Sequence, residues 1–103
     1  MVDSHHGTTG LYNPEILRRA GCEVIEVRTN VDGSFPAGTP DPTDARVMED
    51  LAKKVLENNA DIGFTYDGDG DRMGFVDDRG RVLWNDIAVA IFAREILERF
   101  PGS

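Results

Sequence analysis

The chain has 103 residues, 40% of them hydrophobic and 29% charged, which suits one soluble domain whose core buries roughly 60–70% of the unfolded surface. Nineteen acidic residues against 11 basic ones leave a formal net charge of −8; this excludes a nucleic-acid or anionic-membrane surface, because both need clustered Lys and Arg. Cys22 is the only cysteine, so no internal disulfide can form and a reducing cytoplasm is expected, and no apolar run approaches the roughly 20 residues of a membrane span.

Met1 to Asp3 reads as the stub of a strand, followed by a Gly- and Thr-rich loop from Ser4 to Gly10. Asn13-Pro14-Glu15 is a helix start, with Asn13 capping, Pro14 in the first turn and Glu15 complementing the dipole; the helix is expected to reach Arg19 and stop at Gly21. Cys22 to Val27 reads as a strand with Cys22 as a small buried residue. Arg28 to Pro42 is a long loop holding Pro36, Pro40 and Pro42, and long ordered loops are often functional. Thr43 is expected to cap a second helix, about Asp44 to Asn58, with Val47, Leu51, Val55 and Leu56 on its apolar face.

Ile62 to Tyr66 is an apolar strand suited to burial on both faces. A loop from Asp67 to Arg72 leads to a further strand, Met73 to Val76, then a turn at Asp77–Gly80 and a short extended segment, Val82 to Trp84. Asn85 is expected to cap a last helix, Asp86 to about Phe100, with Ile87, Ala88, Ile91, Ile96 and Leu97 on its buried side. Strands alternating with helices predict an α/β domain with a mostly parallel sheet, and the short turn at Asp77–Gly80 requires an antiparallel edge. The abrupt start, together with the linker-like Phe100-Pro101-Gly102-Ser103 end, suggests a single domain cut from a longer chain.

Chemistry concentrates in Asp67-Gly68-Asp69-Gly70-Asp71-Arg72. The segment follows an apolar strand, and ligands of α/β sheets gather at the carboxyl ends of strands. Three carboxylates at alternate positions repel one another by several kcal/mol in a tight, partly shielded loop, and a divalent cation turns that repulsion into binding. Mg²⁺ takes hard oxygen donors at roughly 2.0–2.1 Å and completes its shell with water or phosphate. Arg72 adds a fixed cation suited to bidentate phosphate contact, and metal plus Arg is the equipment of phosphoryl transfer.

This segment resembles the metal-loop signature of the α-D-phosphohexomutase family (phosphomannomutase/phosphoglucomutase). The resemblance extends over essentially the whole chain: Asp3, Gly7, Gly10 and Pro14-Glu15, then Gly21 to Ile25, Asp32 to Pro36 with Pro40-Asp41-Pro42, and Ala60 to Gly63. It implies the second domain of a four-domain enzyme, with a three-layer α/β/α fold on a four-stranded mixed sheet with one antiparallel edge strand. It implies that Asp67, Asp69 and Asp71 ligate Mg²⁺ and that Arg72 lies beside the active-site phosphate. The family moves a phosphoryl group between the 6- and 1-hydroxyls of a hexose, through a phosphoserine and a bisphosphorylated sugar. The serine motif belongs to another domain, and Ser4-His5-His6 does not match it, so this chain alone is expected to be inactive. The implied partners are the other domains of the same polypeptide and a phosphosugar substrate. Ala37-Gly38-Thr39 after Pro36, where many members carry Asn-His, leaves the sugar open.

Two rival readings use the same loop. A haloacid-dehalogenase-like phosphatase would use Asp67 as nucleophile and Asp69 as acid/base, but expects Thr or Val at Asp71 and the motif near the start of its domain. A non-catalytic calcium module would use the three Asp as the first ligands of an EF-hand, but Arg72 replaces the required Gly and Asp78 the bidentate Glu. His5 and His6 are adjacent and unsupported by other ligands, so a loop role is expected. Gly7-Thr8-Thr9-Gly10 reads as a strand-to-helix turn more than a phosphate cradle. Trp84 is expected in the core or at an interface, Asp77 and Asp78 in a turn, and Arg18-Arg19 at a solvated helix end.

Overall fold

A computed structural model describes residues 1–103. The elements are β1 (Val2–Asp3), α1 (Asn13–Arg19), β2 (Glu26–Val27), α2 (Ala45–Glu57), β3 (Ile62–Tyr66), β4 (Met73–Asp77), β5 (Val82–Leu83) and α3 (Asn85–Arg99), with a 3₁₀ turn at Thr8–Leu11 between β1 and α1. No helix is long and apolar enough to cross a membrane.

The sheet has five strands in the order β2-β1-β3-β4-β5, one more than the four expected. β1 runs parallel to β2 and β3, while β4 is antiparallel to both β3 and β5. The antiparallel strand is therefore not the edge. The turn at Asp77–Gly80 is tight enough for Val82 and Leu83 to pair with Val76 and Phe75, so the expected extended segment becomes the fifth, covering strand.

Because β1 and β3 are parallel neighbours, with Val2 opposite Phe64 and Asp3 opposite Thr65, their carboxyl ends emerge side by side. The turn after β1 and the Asp67–Arg72 loop after β3 are thereby forced together. This juxtaposition positions the site.

The core lies between α2 and one face of the sheet. Met48, Leu51 and Val55 of α2 are buried with Met1, Ala60 and Val76. The buried face of α2 thus runs through Met48, whereas Leu56, expected inside, is 52% exposed. Asp44, not Thr43, caps α2: its side chain accepts from the Arg46 amide at 2.9 Å, while Thr43 donates to Asp41.

Several local expectations are corrected. α1 spans Asn13–Arg19, but Tyr12 is its cap and Asn13 its first residue. The strand expected over Cys22 to Val27 shrinks to Glu26–Val27, because β1 offers only two residues to pair with. Cys22 is exposed; its amide closes the end of α1 on the Leu17 carbonyl at 3.0 Å before the strand begins.

α3 begins at Asn85, capped by Trp84. Phe92 meets Phe75 edge to face at 6.0 Å, and Phe75 meets Phe64 at 5.5 Å. Of the side chains expected to be buried on α3, only Ala88 is; Ile87, Ile91, Ile96 and Leu97 are exposed, with Val89, Phe92 and Phe100. Within this chain α3 is covered near its start, where Ala88 is buried and Phe92 meets Phe75. Trp84 is 44% exposed at its start.

Candidate metal centre

The Asp67–Arg72 loop joins β3 to β4 as the tip of a hairpin, closed by the Asp67 amide donating to the Arg72 carbonyl at 3.2 Å. Asp67 is buried, while Asp69 and Asp71 are exposed. One carboxylate oxygen from each lies within 4.8 Å of the others. Adjacent oxygens around an octahedral Mg²⁺ at about 2.1 Å stand about 3 Å apart, so the three carboxylates would draw together to share one ion. The donor set consists of hard anionic oxygens, with neither sulfur nor imidazole among them, which fits such a cation.

Asp67 is oriented from several sides. Its Oδ1 accepts from the Gly70 amide at 3.0 Å and the Arg72 amide at 3.2 Å, and its Oδ2 accepts from Arg72 Nε at 2.9 Å. Asp69 accepts from the Asp71 amide at 3.2 Å, a turn geometry typical of Asp. Gly70 has φ +79° and leaves only 2.3 Å between the position of a Cβ and the Thr9 methyl, so both the left-handed backbone and the packing require glycine there.

Crowding separates the carboxyls electrostatically. Burial pushes Asp67 up, but the neighbouring Asp71 carboxyl and the hydrogen bonds from Arg72 outweigh it and hold Asp67 below the usual carboxylate range. Asp71, beside the carboxylate of Asp67 first and that of Asp69 second, is pushed above that range. Like charges sharing a small volume disfavour joint ionisation unless a cation is present. Arg72 partly fills that role: beyond its bond to Asp67 it lies 3.8 Å from Asp41 and 3.9 Å from Asp71.

The site residues expected from sequence therefore stand together. His5 and His6 do not join them. His5 Nε2 faces the Ala37 carbonyl at 3.3 Å and His6 Nδ1 the Asn30 carbonyl at 2.9 Å, so both brace the long loop. The Thr8 amide is taken by the Gly68 carbonyl at 3.0 Å and is not free to cradle a phosphate. Two participants escape sequence reading: Asp41, whose approach to Arg72 depends on how the long loop folds back, and the Gly7–Thr9 turn, 60 residues before the loop it touches.

Comparison with known proteins gives this geometry a context. The description "Phosphoglucomutase/phosphomannomutase, alpha/beta/alpha domain II" matches residues 1–80. A phosphomannomutase/phosphoglucomutase of Pseudomonas putida is 43% identical over 103 residues, all of this chain but 22% of the relative. A phosphomannomutase of Methanocaldococcus jannaschii is 40% identical over 97 residues, 94% of this chain and 22% of its own. A crystal structure of a phosphoglucomutase/phosphomannomutase family protein from Burkholderia thailandensis superposes with a TM-score of 0.93 at 38% identity, covering 99% of this chain and 22% of that one. The chain thus spans about a fifth of the relatives it matches.

Proposed function

Since the chain belongs to the phosphoglucomutase/phosphomannomutase family, we propose that it serves as the Mg²⁺-carrying domain of a mutase interconverting hexose 6-phosphate and hexose 1-phosphate. The observation that carries the reading is the convergence of Asp67, Asp69 and Asp71 at the end of β3 with Arg72 bonded to Asp67. A hairpin between two strands suits neither the helix–loop–helix of an EF-hand nor its calcium shell.

In this reading Asp67, Asp69 and Asp71 hold the cation, and Arg72 places a fixed positive charge beside it. The bound ion supplies charge neutralisation for the transferring phosphoryl group. With its Nε on Asp67 and its Nη1 3.8 Å from Asp41, Arg72 offers its remaining N–H groups to phosphate, a fixed cation suited to anion clamping.

The phosphoserine and the sugar-binding loops lie elsewhere in a four-domain polypeptide, of which this chain forms the second, three-layer α/β/α domain. Other domains of that polypeptide cover the apolar side chains of α3, an exposed patch of a kind that marks interfaces. A reducing, cytoplasmic setting suits the exposed thiol of Cys22.

The test uses the polypeptide containing this chain, assayed with glucose and mannose phosphates. It should interconvert the 1- and 6-phosphates, lose activity on chelation and regain it with Mg²⁺. Undiminished turnover after exhaustive chelation, or simple phosphate release through an aspartyl-phosphate at Asp67, would overturn the assignment.

A further inference from the structure

We propose that the turn after β1 is a positioning element of the metal loop: Gly7 and Thr8 fix the Gly68 carbonyl and so set the spacing of Asp67 and Asp69. The inference rests on reading Asp67, Asp69 and Asp71 as a cation site.

Gly68 lies between two of the three ligands. Its carbonyl accepts from both the Thr8 amide at 3.0 Å and the Thr8 hydroxyl at 3.1 Å. Bonds inside the loop do not reach it: they run from Gly70 and Arg72 to Asp67 and from Asp71 to Asp69. Thr8 therefore holds the one peptide oxygen between Asp67 and Asp69 that the loop leaves free.

Gly7 permits this approach. A Cβ on Gly7 would stand 2.8 Å from the Gly68 oxygen, 3.1 Å from the Ser4 oxygen and 3.2 Å from the Asp67 oxygen. All three are backbone atoms and cannot rotate aside. Thr9 completes the contact by filling the space over Gly70.

The turn is itself held rigidly. The His5 amide donates to Asp3 at 2.9 Å, the His6 amide to the Arg28 carbonyl at 2.9 Å and the Gly7 amide to the Ser4 carbonyl at 2.7 Å. His5 and His6 adopt φ +49° and +66°, costly values that persist only where the surroundings over-determine them. A preformed loop spares the cation the work of ordering it, and outer partners of metal ligands typically change affinity about 10–100-fold.

The test is a Mn²⁺ titration of the polypeptide containing this chain, read by electron paramagnetic resonance. Gly7→Ala and Thr8→Val should each weaken binding about 10-fold or more and broaden the bound-ion signal. Thr8→Ser, which keeps the hydroxyl, should bind like the unsubstituted chain, as should Gly33→Ala, where a Cβ meets nothing within 4 Å. Circular dichroism shows which variants remain folded; if Gly7→Ala does not, the Thr8→Val and Thr8→Ser pair decides. Unchanged affinity in Thr8→Val, with the unsubstituted chain binding Mn²⁺, overturns the positioning role alone. Absence of binding by the unsubstituted polypeptide overturns the cation reading, and the inference with it.

Discussion

Arg28→Met should destabilise the chain by about 3–5 kcal/mol, the cost of leaving a buried charge without its partner. Asp3 is 1% exposed and Arg28 19%. Arg28 Nε donates to Asp3 Oδ1 at 3.0 Å, its guanidinium also pairs with Asp3 Oδ2, and it reaches Asp50 at 2.9 Å. Methionine matches the aliphatic stem but leaves the Asp3 carboxylate facing α2 with only the His5 amide as partner. The loss is a large share of the 5–15 kcal/mol that stabilises an ordinary domain. Urea unfolding measures it. Asp3→Asn combined with Arg28→Met should recover most of the loss, since a neutral amide still accepts from His5 and buries no charge. A single variant within about 1 kcal/mol of the unsubstituted chain, where exposed pairs fall, would show that the pair does not hold β1 in place.

Arg72→Met should move metal affinity and turnover in opposite directions. Arg72 donates to Asp67 Oδ2, an oxygen that a cation would share. Removing the guanidinium leaves the two amide bonds that orient Asp67 and makes the cluster more negative. Mn²⁺ should then bind the variant at least as tightly as the unsubstituted chain. Mutase turnover of the containing polypeptide should nevertheless fall about 10²–10³-fold, as when one preorganised donor to a transition-state oxyanion is lost. Turnover unchanged by Arg72→Met would remove Arg72 from the phosphate-binding role. Affinity and turnover falling in step would make it a support for the loop instead.

The two effects bear on one structure. Arg28 fixes Asp3, Asp3 fixes the His5 amide, and the turn that follows meets the metal loop through Gly68. Stability at the end of β1 and geometry at the end of β3 are thus linked, because the two strands are parallel neighbours.

How legible these features are in the sequence follows from the range of the interactions. The Asp67–Arg72 cluster is readable because it is local: alternate carboxylates, two glycines and an arginine in six residues after an apolar strand. β3 and the extents of α1 and α2 are readable to within a residue or two for the same reason. Caps are less so, because Asp44 and Thr43 both qualify chemically and only the path of the preceding loop chooses between them. β2 is shorter than its Val and Ile content implies, since strand length is set by the partner and β1 is short. The exposed apolar residues of α3 have helical spacing, but spacing alone does not say whether this sheet covers them or another surface does. The Thr8–Gly68 contact, spanning 60 residues, leaves no trace in periodicity.

The central claim is that Asp67, Asp69 and Asp71 form a Mg²⁺-type site, and a Mn²⁺ titration of this chain with Ca²⁺ competition and an Asp69→Asn control tests it most directly. The account predicts binding that resists Ca²⁺, because a site with three carboxylates and few further protein donors does not fill a calcium shell of 6–8 oxygens, and that disappears in Asp69→Asn. Binding dominated by Ca²⁺, or binding that survives Asp69→Asn unchanged, would contradict it.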